Sequence, residues 1–403
     1  MKVAFVTFGC RLNRAESLDL EACYRAAGHE IIDLGSVPQP SQPKTSGAVP
    51  DLILVRGCSV TAKAQRDCEK AIAHLRFQFP SAEVRPIGCL PNAQDVKPVA
   101  IRTIPSPHVI LLPHQEVIPI QTSRAYLKIQ DGCNGKCAFC IVPHFRGPAR
   151  SVPFDEIMVR TKSFLSAGYR EIVLTGCNLS LYHWSDHNLT TLLAALAELG
   201  NVPVRIRIGS LEPGKVCEAI LDVMVQHPNI CRFLHLSLQS GSDRVLKRMN
   251  RPYDIMWAER FCTAARERLG TDLALGADVI TGFPGETDED FEATRAFLVR
   301  HAFSNLHVFP YSERPGTPAA TMDGALPRAV RLVRARNLTA LGRRQRAAFA
   351  QTFLGREVEV CVERGGEHGW TSAYLPCKWK GPAERRSLVR KRITAVSGDT
   401  LLA

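Results

Sequence analysis

The sequence predicts an α/β protein in three parts: an N-terminal parallel βα domain over residues 1–120, a central open barrel of six βα units over 121–352, and a small all-β barrel over 353–403. Three observations predict it. β-branched runs alternate with helical patterns from the start, the signature of βα units on a mostly parallel sheet. Six strand segments of this kind recur in the middle of the chain, fewer than the eight that close a barrel. After Phe353 the texture changes to short alternating segments divided by Gly- and Pro-containing turns, as in a small barrel or sandwich.

In chain order, KVAFVTF, DLILV and EVRPIG read as the first strands, with helices over 15–27 and 62–79. Pro-rich residues 36–50 read as a surface loop and 98–119 as the connection to the second domain. The barrel strands are AYLKIQD, EIVLTG, VRIRIG, FLHLSLQ, LALGADVI and NLHVFP, separated by helical patterns such as 189–199 and 288–301. PRAVRLVRARNLTALGRRQRAAF then reads as an amphipathic helix carrying seven Arg, ahead of the strands REVEVCVE, GWTSAYLPCKW and SLVRKRITAV.

With 403 residues, 45% hydrophobic and 22% charged, the chain has an ordinary globular composition, which argues against a disordered, fibrous or integral-membrane protein. No stretch of 18 apolar residues occurs, so no membrane partner is expected. The start MKVAFVTFGCRLNR reads as a first strand and not a signal peptide. Fourteen cysteines without an export signal place the thiols in a reducing compartment, with the cytoplasm as the expected location. The net charge is +12, and from Arg328 to the end sixteen basic residues face six acidic ones. Such asymmetry points to a polyanionic partner.

Cysteine spacing carries the chemistry. CNGKCAFC places Cys133, Cys137 and Cys140 in one short loop directly after AYLKIQD, at the strand edge where parallel α/β proteins put their sites. Soft thiolates favour zinc or iron-sulfur clusters. Gly132 and Gly135 give the loop freedom to wrap around something larger than one ion. Three thiolates on a four-iron cube leave one iron open, as a reactive centre requires. The alternative is a three-Cys zinc corner completed by a residue such as His144. Cys10, Cys58 and Cys89 each follow a candidate strand, so three βα loops bring three more thiolates to one edge of the first sheet.

Together with TFGCRLNRAES, AYLKIQDGCNGKCAFCIVPHFRGPARS, EIVLTGCNLSLY, HLSLQSGSDRVLKRMNRPY, DVITGFPGETDEDF and HVFPYSERPGTPAA, this pattern resembles the radical S-adenosylmethionine enzymes. Within them it is most similar to the tRNA methylthiotransferases of the threonylcarbamoyladenosine branch. The similarity runs from Met1 to about Ala320, and the C-terminal barrel stands where the family carries a TRAM domain. The resemblance implies a radical SAM partial barrel in which a 4Fe-4S cluster on Cys133, Cys137 and Cys140 binds S-adenosyl-L-methionine through its open iron and cleaves it. It also implies a second 4Fe-4S cluster on Cys10, Cys58 and Cys89 that delivers sulfur, and an electron donor. The product is a methylthio group on carbon 2 of threonylcarbamoyladenosine beside the tRNA anticodon, at position 37. An aromatic C–H has no acidic proton or leaving group, so a cofactor must carry the chemistry. Gly176, Asn178, Gly276 and Asp278 lie where the family binds the cofactor. The chain departs from the family at Arg56-Gly57, where the family has Asn-Thr.

The basic end supplies the substrate argument. Arg328, Arg331, Arg334, Arg336, Arg343, Arg344 and Arg346, then Arg385, Arg386, Arg390, Lys391 and Arg392, are expected to neutralise RNA phosphates. Trp370, Tyr374 and Trp379 are suited to stacking on unpaired bases. Cys23, Cys68, Cys217, Cys231 and Cys262 read as core residues, while Cys177 follows a barrel strand. The histidines show no close pair at metal spacing. Alternative readings keep the chemistry on isopentenyl-adenosine in tRNA or on a ribosomal protein aspartate, or make the chain a non-catalytic, metal-stabilised RNA-binding protein.

Overall fold

The computed structural model describes residues 1–34, 49–91, 93, 122–199, 202–216 and 218–403. The Pro-rich stretch 98–119, nearly all of that at 36–50, the boundary expected at residue 121, and Cys217 lie outside the described residues. Two compact units are present. One gathers the N-terminal residues with 132–134 and 140–148, and the other holds the remainder from residue 122 onward.

The first unit contains β1 (Lys2–Thr7), α1 (Arg11–Ala26), β2 (Glu30–Ile32), β3 (Leu52–Gly57), α2 (Ala62–Gln78), β4 (Glu83–Gly88) and the short α3 (Val142–Arg146). Its sheet runs in the order β2-β1-β3-β4, parallel throughout. β3 is buried along its whole length, which is why it reads as a continuous LILV run without polar alternation. Period-2 geometry sends its residues to two faces. Ile53 and Val55 pack with Cys68, Ile72 and Leu75 of α2, and Leu52 and Leu54 with Leu20 and Tyr24 of α1. Thr61 caps α2 by accepting from the Ala64 amide at 3.1 Å.

The second unit holds β5 (Ala125–Lys128), α4 (Phe154–Ser166), β6 (Glu171–Thr175), α5 (Leu189–Ala197), β7 (Arg205–Arg207), β8 (Ser210–Leu211) and α6 (Ala219–Gln226). β9 (Phe233–Gln239), α7 (Asp243–Arg248), α8 (Ile255–Leu269), β10 (Ala274–Thr281), α9 (Asp288–Arg300), β11 (Asn305–Pro310) and α10 (Arg328–Gln351) follow. The strands form two parallel sheets, β7-β6-β5 and β8-β9-β10-β11, and the chain passes from β7 to β8 through Ile208 and Gly209. The six expected barrel strands are therefore present, with the third one divided. Gly209 marks the division, because a Cβ there would stand 2.8 Å from the Leu174 carbonyl oxygen. Among the described residues no ladder joins β5 to β11, so the barrel is open. Cys231 and Cys262 are fully buried, as core cysteines should be.

The last segment forms β12 (Glu357–Val362), β13 (His368–Thr371), β14 (Pro376–Lys378), β15 (Leu388–Arg392), β16 (Ala395–Ser397) and β17 (Thr400–Leu402). Their order is β15-β12-β13-β14-β17-β16, with β15 and β16 at opposite ends and not paired. The result is a curled sheet, which no ladder among the described residues closes into a barrel. Val358, Val360, Leu375 and Leu401 pack in one core with Ala350 in the last turn of α10, Phe353 just after it, and Phe233 and Ala274 of the barrel.

A buried ion cluster joins this sheet to the barrel. β7 alternates, so Ile206 and Ile208 go to one side while Arg205 and Arg207 go to the other, where both meet Glu171 of β6. All three side chains are almost wholly buried. Arg205 also donates to the carbonyl oxygens of Glu359 (3.0 Å) and Trp370 (2.6 Å), and Arg207 to those of Thr371 (2.9 Å) and Ser372 (3.1 Å). Burial works to raise the Glu171 pKa, but Arg205, Arg207 and Arg124 override it and hold the carboxyl well below its usual range. Because the folded value is depressed, this stabilisation is present above the ordinary carboxylate range and is lost as pH falls through it toward the folded value. Glu171→Gln removes the carboxylate shared by two buried guanidinium groups and is expected to cost about 3–5 kcal/mol in urea unfolding. Deleting residues from Phe353 onward removes the carbonyl acceptors and is expected to yield an aggregated or unfolded chain, checked by circular dichroism and gel filtration.

Candidate metal and cofactor site

In the first unit, Cys10, Cys58 and Cys89 stand just beyond the C-terminal ends of β1, β3 and β4, three neighbouring strands. Cys10 is exposed at the start of α1, and Cys58 and Cys89 are buried. Gly9 has φ +95°, and a Cβ there would lie 2.7 Å from the Cys58 Cβ, so only glycine lets these two loops meet. Asn13 ties the same loops together, its Nδ2 donating to the Phe8 carbonyl (2.8 Å) and the Gly57 carbonyl (2.9 Å). From α3, Arg146 donates through Nε to the Cys89 sulfur (3.1 Å), and through its terminal nitrogens to Glu16 (2.9 Å) and the Asn13 Oδ1 (2.8 Å). Burial pushes the Cys58 and Cys89 thiols up, and Arg146 works against it.

Arg56 and Gly57 have definite roles in this setting. Arg56 donates to Glu16 (2.8 Å) and to the Ser17 hydroxyl (3.1 Å), so Glu16 bridges Arg56 and Arg146. A Cβ at residue 57 would stand 2.2 Å from Leu90 Cδ1, which excludes the threonine of the family pattern unless Leu90 moves. Sequence reasoning missed Glu16, Asn13 and Arg146, whose long-range contacts span from 40 to 133 residues.

Of the second triplet, Cys133, Cys137 and Cys140 are all half-buried. Cys133 is anchored by its amide on the Gly147 carbonyl (3.1 Å), and Gly132 has no room for a side chain because a Cβ would meet the Pro148 carbonyl oxygen at 2.0 Å. In the second unit, Arg251 donates to the Cys137 sulfur (3.0 Å) and to the Ser237 carbonyl (3.0 Å), and pairs with Glu212 (3.1 Å). Glu212 accepts in turn from Asn178, whose amide donates to Gln130 Oε1 at 2.8 Å. A polar chain thus runs along the C-terminal edge of the barrel from Cys137 to Gln130. The Nε of Arg251 is buried with no hydrogen-bond partner among the described residues.

The four residues expected to contact the cofactor have these neighbours. Asn178 is engaged by Glu212 and Gln130, and Gly176 is required because a Cβ would press on Leu179 and Gln130 at 2.9–3.0 Å. Gly276 makes room for an imidazole, since its Cβ would stand 2.5 Å from His235 Nδ1. Asp278 accepts from two imidazoles, His235 (3.0 Å) and His307 (3.1 Å). The histidines therefore do form a close pair, with ring centroids 4.6 Å apart, across strands far separated in sequence. Cys177 is half-buried, its thiol 3.5 Å from Asp131.

The basic end divides in two. Arg343, Arg344, Arg390 and Arg392 are exposed. Arg331 and Arg334 are buried on Tyr311 and Glu313 and on Glu286 and Asp288, and Arg346 is held by Asp399 (2.5 Å) and the Tyr374 carbonyl (2.8 Å). Lys391 lies over Trp379 at 4.9 Å. Of the aromatic residues expected to stack on bases, Trp370 and Tyr374 are half-buried and stack on each other, with Arg207 over Tyr374, and Trp379 is buried. The carbonyls that Arg205 and Arg207 require draw this segment against the barrel.

Fold and cysteine placement together define a radical S-adenosylmethionine protein. The radical SAM superfamily model matches residues 127–298, and a model described as uncharacterized protein family UPF0004 matches 2–105. The radical S-adenosylmethionine methyltransferase TsrM of Kitasatospora setae shares the fold, with a TM-score of 0.53, 13% identity, and coverage of 79% of this chain and 77% of its own. Among curated relatives, the threonylcarbamoyladenosine tRNA methylthiotransferase MtaB of Aquifex aeolicus is 31% identical over 97% of this chain and 99% of its own length. MtaB of Bacillus subtilis is 31% identical over 94% and 90%, and the tRNA-2-methylthio-N(6)-dimethylallyladenosine synthase of Corynebacterium urealyticum 30% over 89% and 72%. The chain belongs to the radical S-adenosylmethionine methylthiotransferase family and is an enzyme that transfers sulfur-containing groups. Membership implies a four-iron cluster and S-adenosylmethionine. Among the described residues no helix is long and apolar enough to cross a membrane.

Gly9→Ala puts a methyl group against Cys58 in a left-handed backbone conformation. It is expected to cost about 1–3 kcal/mol, measured by urea unfolding, while Gly28→Ala, where a Cβ meets nothing within 4 Å, should cost less.

Proposed function

We propose that this enzyme adds a methylthio group to carbon 2 of threonylcarbamoyladenosine at position 37 of tRNA. Cys133, Cys137 and Cys140 would hold the four-iron cluster that binds S-adenosylmethionine, and Cys10, Cys58 and Cys89 a second four-iron cluster. The observation that carries this reading is the convergence of Cys10, Cys58 and Cys89 on one sheet edge beside Arg146, which follows Cys140 by six residues. Transfer of sulfur needs a carrier distinct from the radical centre, and a second cysteine triplet answers that need.

The residues fit these groups. In the first unit three soft donors meet at one edge with a guanidinium already on one sulfur, which suits an anionic cluster. Near Cys137, the unpartnered Nε of Arg251 is a buried donor available to an acceptor the protein does not supply. When bound, the clusters and S-adenosylmethionine supply one-electron chemistry at an aromatic C–H that acid–base groups cannot activate. The chain's own residues position and compensate charge. Arg251 holds the Cys137 sulfur and is held by Glu212, while Arg146 holds Cys89 and is held by Glu16.

The N-terminal domain over 1–120, the radical domain over 121–352 and a TRAM-like RNA-binding domain over 353–403 would divide the work, with an electron donor as partner and the cytosol as location. The threonylcarbamoyl substrate is supported by the relatives named MtaB. The relatives named for dimethylallyladenosine support the second reading, the same chemistry on isopentenyl-adenosine. Exposed Arg343, Arg344, Arg390 and Arg392 are the residues suited to tRNA phosphates.

Nucleoside mass spectrometry of tRNA from cells lacking this chain tests the substrate. Loss of methylthio-threonylcarbamoyladenosine is expected, and loss of the isopentenyl product alone would establish the second reading. Anaerobic reconstitution is expected to load about eight irons per chain. Changing Cys133, Cys137 and Cys140 to Ala should halve the iron and abolish reductive cleavage of S-adenosylmethionine. Changing Cys10, Cys58 and Cys89 to Ala should also halve it but spare that cleavage. Replacing Arg343 and Arg344 by Ala should weaken tRNA binding and reduce the slope of log affinity against log salt by roughly one per residue, measured by filter binding across a salt series.

A further inference from the structure

Three strands of the second unit bring a separate donor set together. Asp278 on β10 and His307 on β11 are register partners and so share a face of the sheet. His235 on β9 pairs with Gly276, two residues from Asp278, and therefore shares that face too. The face is the inner one, because Leu306, the neighbour of His307, meets α10 on the other side at Gly342. Along β9 the same face carries Phe233, whose ring meets Tyr374 of the C-terminal sheet at 4.9 Å, then His235, then Ser237. The cluster thus sits inside the open barrel, above the floor formed by Tyr374.

We propose that His235, Asp278 and His307 bind a divalent transition-metal ion, a site distinct from both cysteine sets. The ligand set is two imidazoles and one carboxylate, the combination such ions favour when sulfur is absent. With metal–ligand bonds of about 2.0–2.2 Å and angles between about 90° and tetrahedral, donors sharing one ion stand about 2.8–3.6 Å apart. His235 Nε2 and His307 Nδ1 stand 3.0 and 3.1 Å from Asp278 Oδ1, at that spacing. All three donor atoms lie within 4.8 Å of one another, and rotation of His307, which is 48% exposed on an edge strand, closes the remaining gap between the imidazoles. His235 is buried and fixed beside Gly276, so one ligand is already in place. Three protein ligands leave positions open toward the barrel interior, where an oxygen or nitrogen of a bound molecule could complete the sphere.

The test uses tag-free enzyme, anaerobically reconstituted so that the cysteines are occupied, then equilibrated with zinc. One zinc per chain is expected with iron unchanged, and zinc-edge X-ray absorption should show a nitrogen and oxygen shell without sulfur. His307→Ala, a change at an exposed position, should weaken zinc binding at least tenfold, and Asp278→Asn should do the same, with thermal melts reporting whether each variant is folded. Zinc held by sulfur, no zinc beyond the cysteine sites, or unchanged affinity in folded His307→Ala would overturn the proposal and leave the triad a hydrogen-bond network within the barrel wall.

Discussion

The Glu171 carboxylate, sealed between Arg205 and Arg207, is the interaction on which the second unit depends. A buried carboxylate is tolerated only when paired, and two guanidinium groups carry more donors than one carboxylate can satisfy. The surplus donors reach the carbonyls of Glu359, Trp370, Thr371 and Ser372, which sets the C-terminal sheet against the barrel strands. Trp370, Tyr374 and Arg124 complete that floor through ring stacking and cation–π contact. The C-terminal segment, basic in composition, is therefore also part of the barrel's own structure, and its exposed basic residues include Arg364, Lys378, Lys380, Arg390 and Arg392.

At the other end of the strands the same parallel topology serves chemistry. Loops after parallel strands gather at one edge, so Cys10, Cys58 and Cys89 meet although they are far apart in the chain. In each unit the structure adds a guanidinium to a cysteine sulfur and a carboxylate behind it: Arg146 with Glu16, and Arg251 with Glu212. Each guanidinium is positioned by its acid, which converts a flexible side chain into a fixed donor. Arg56 extends the first of these arrangements, and its company with Glu16 explains how the chain accommodates this buried charge.

The strand alternation, the six barrel segments and the cysteine loops were legible because each is a local pattern. Burial on both faces shows as the continuous apolar run LILV, the alternating leucines of FLHLSLQ mark a strand, and a cysteine triplet in one loop shows in its spacing. Closure of the C-terminal sheet was not legible, since it depends on whether β15 and β16 meet, and nothing in either strand records its neighbour. Nor was the commitment of Arg331, Arg334 and Arg346 to internal acids, because a helical arginine reads the same whether its partner is a phosphate or Glu286.

The sequence by itself determined the α/β class, the order of the elements and the placement of both cysteine triplets after strands, because residues at short spacing or at a strand's end owe their position to local geometry. Tertiary structure alone decided which charges remain free, what surrounds each sulfur, and that His235 and His307 converge on Asp278. Those pairings follow from strand register and from the need to satisfy buried donors, and both are set only when distant segments pack together.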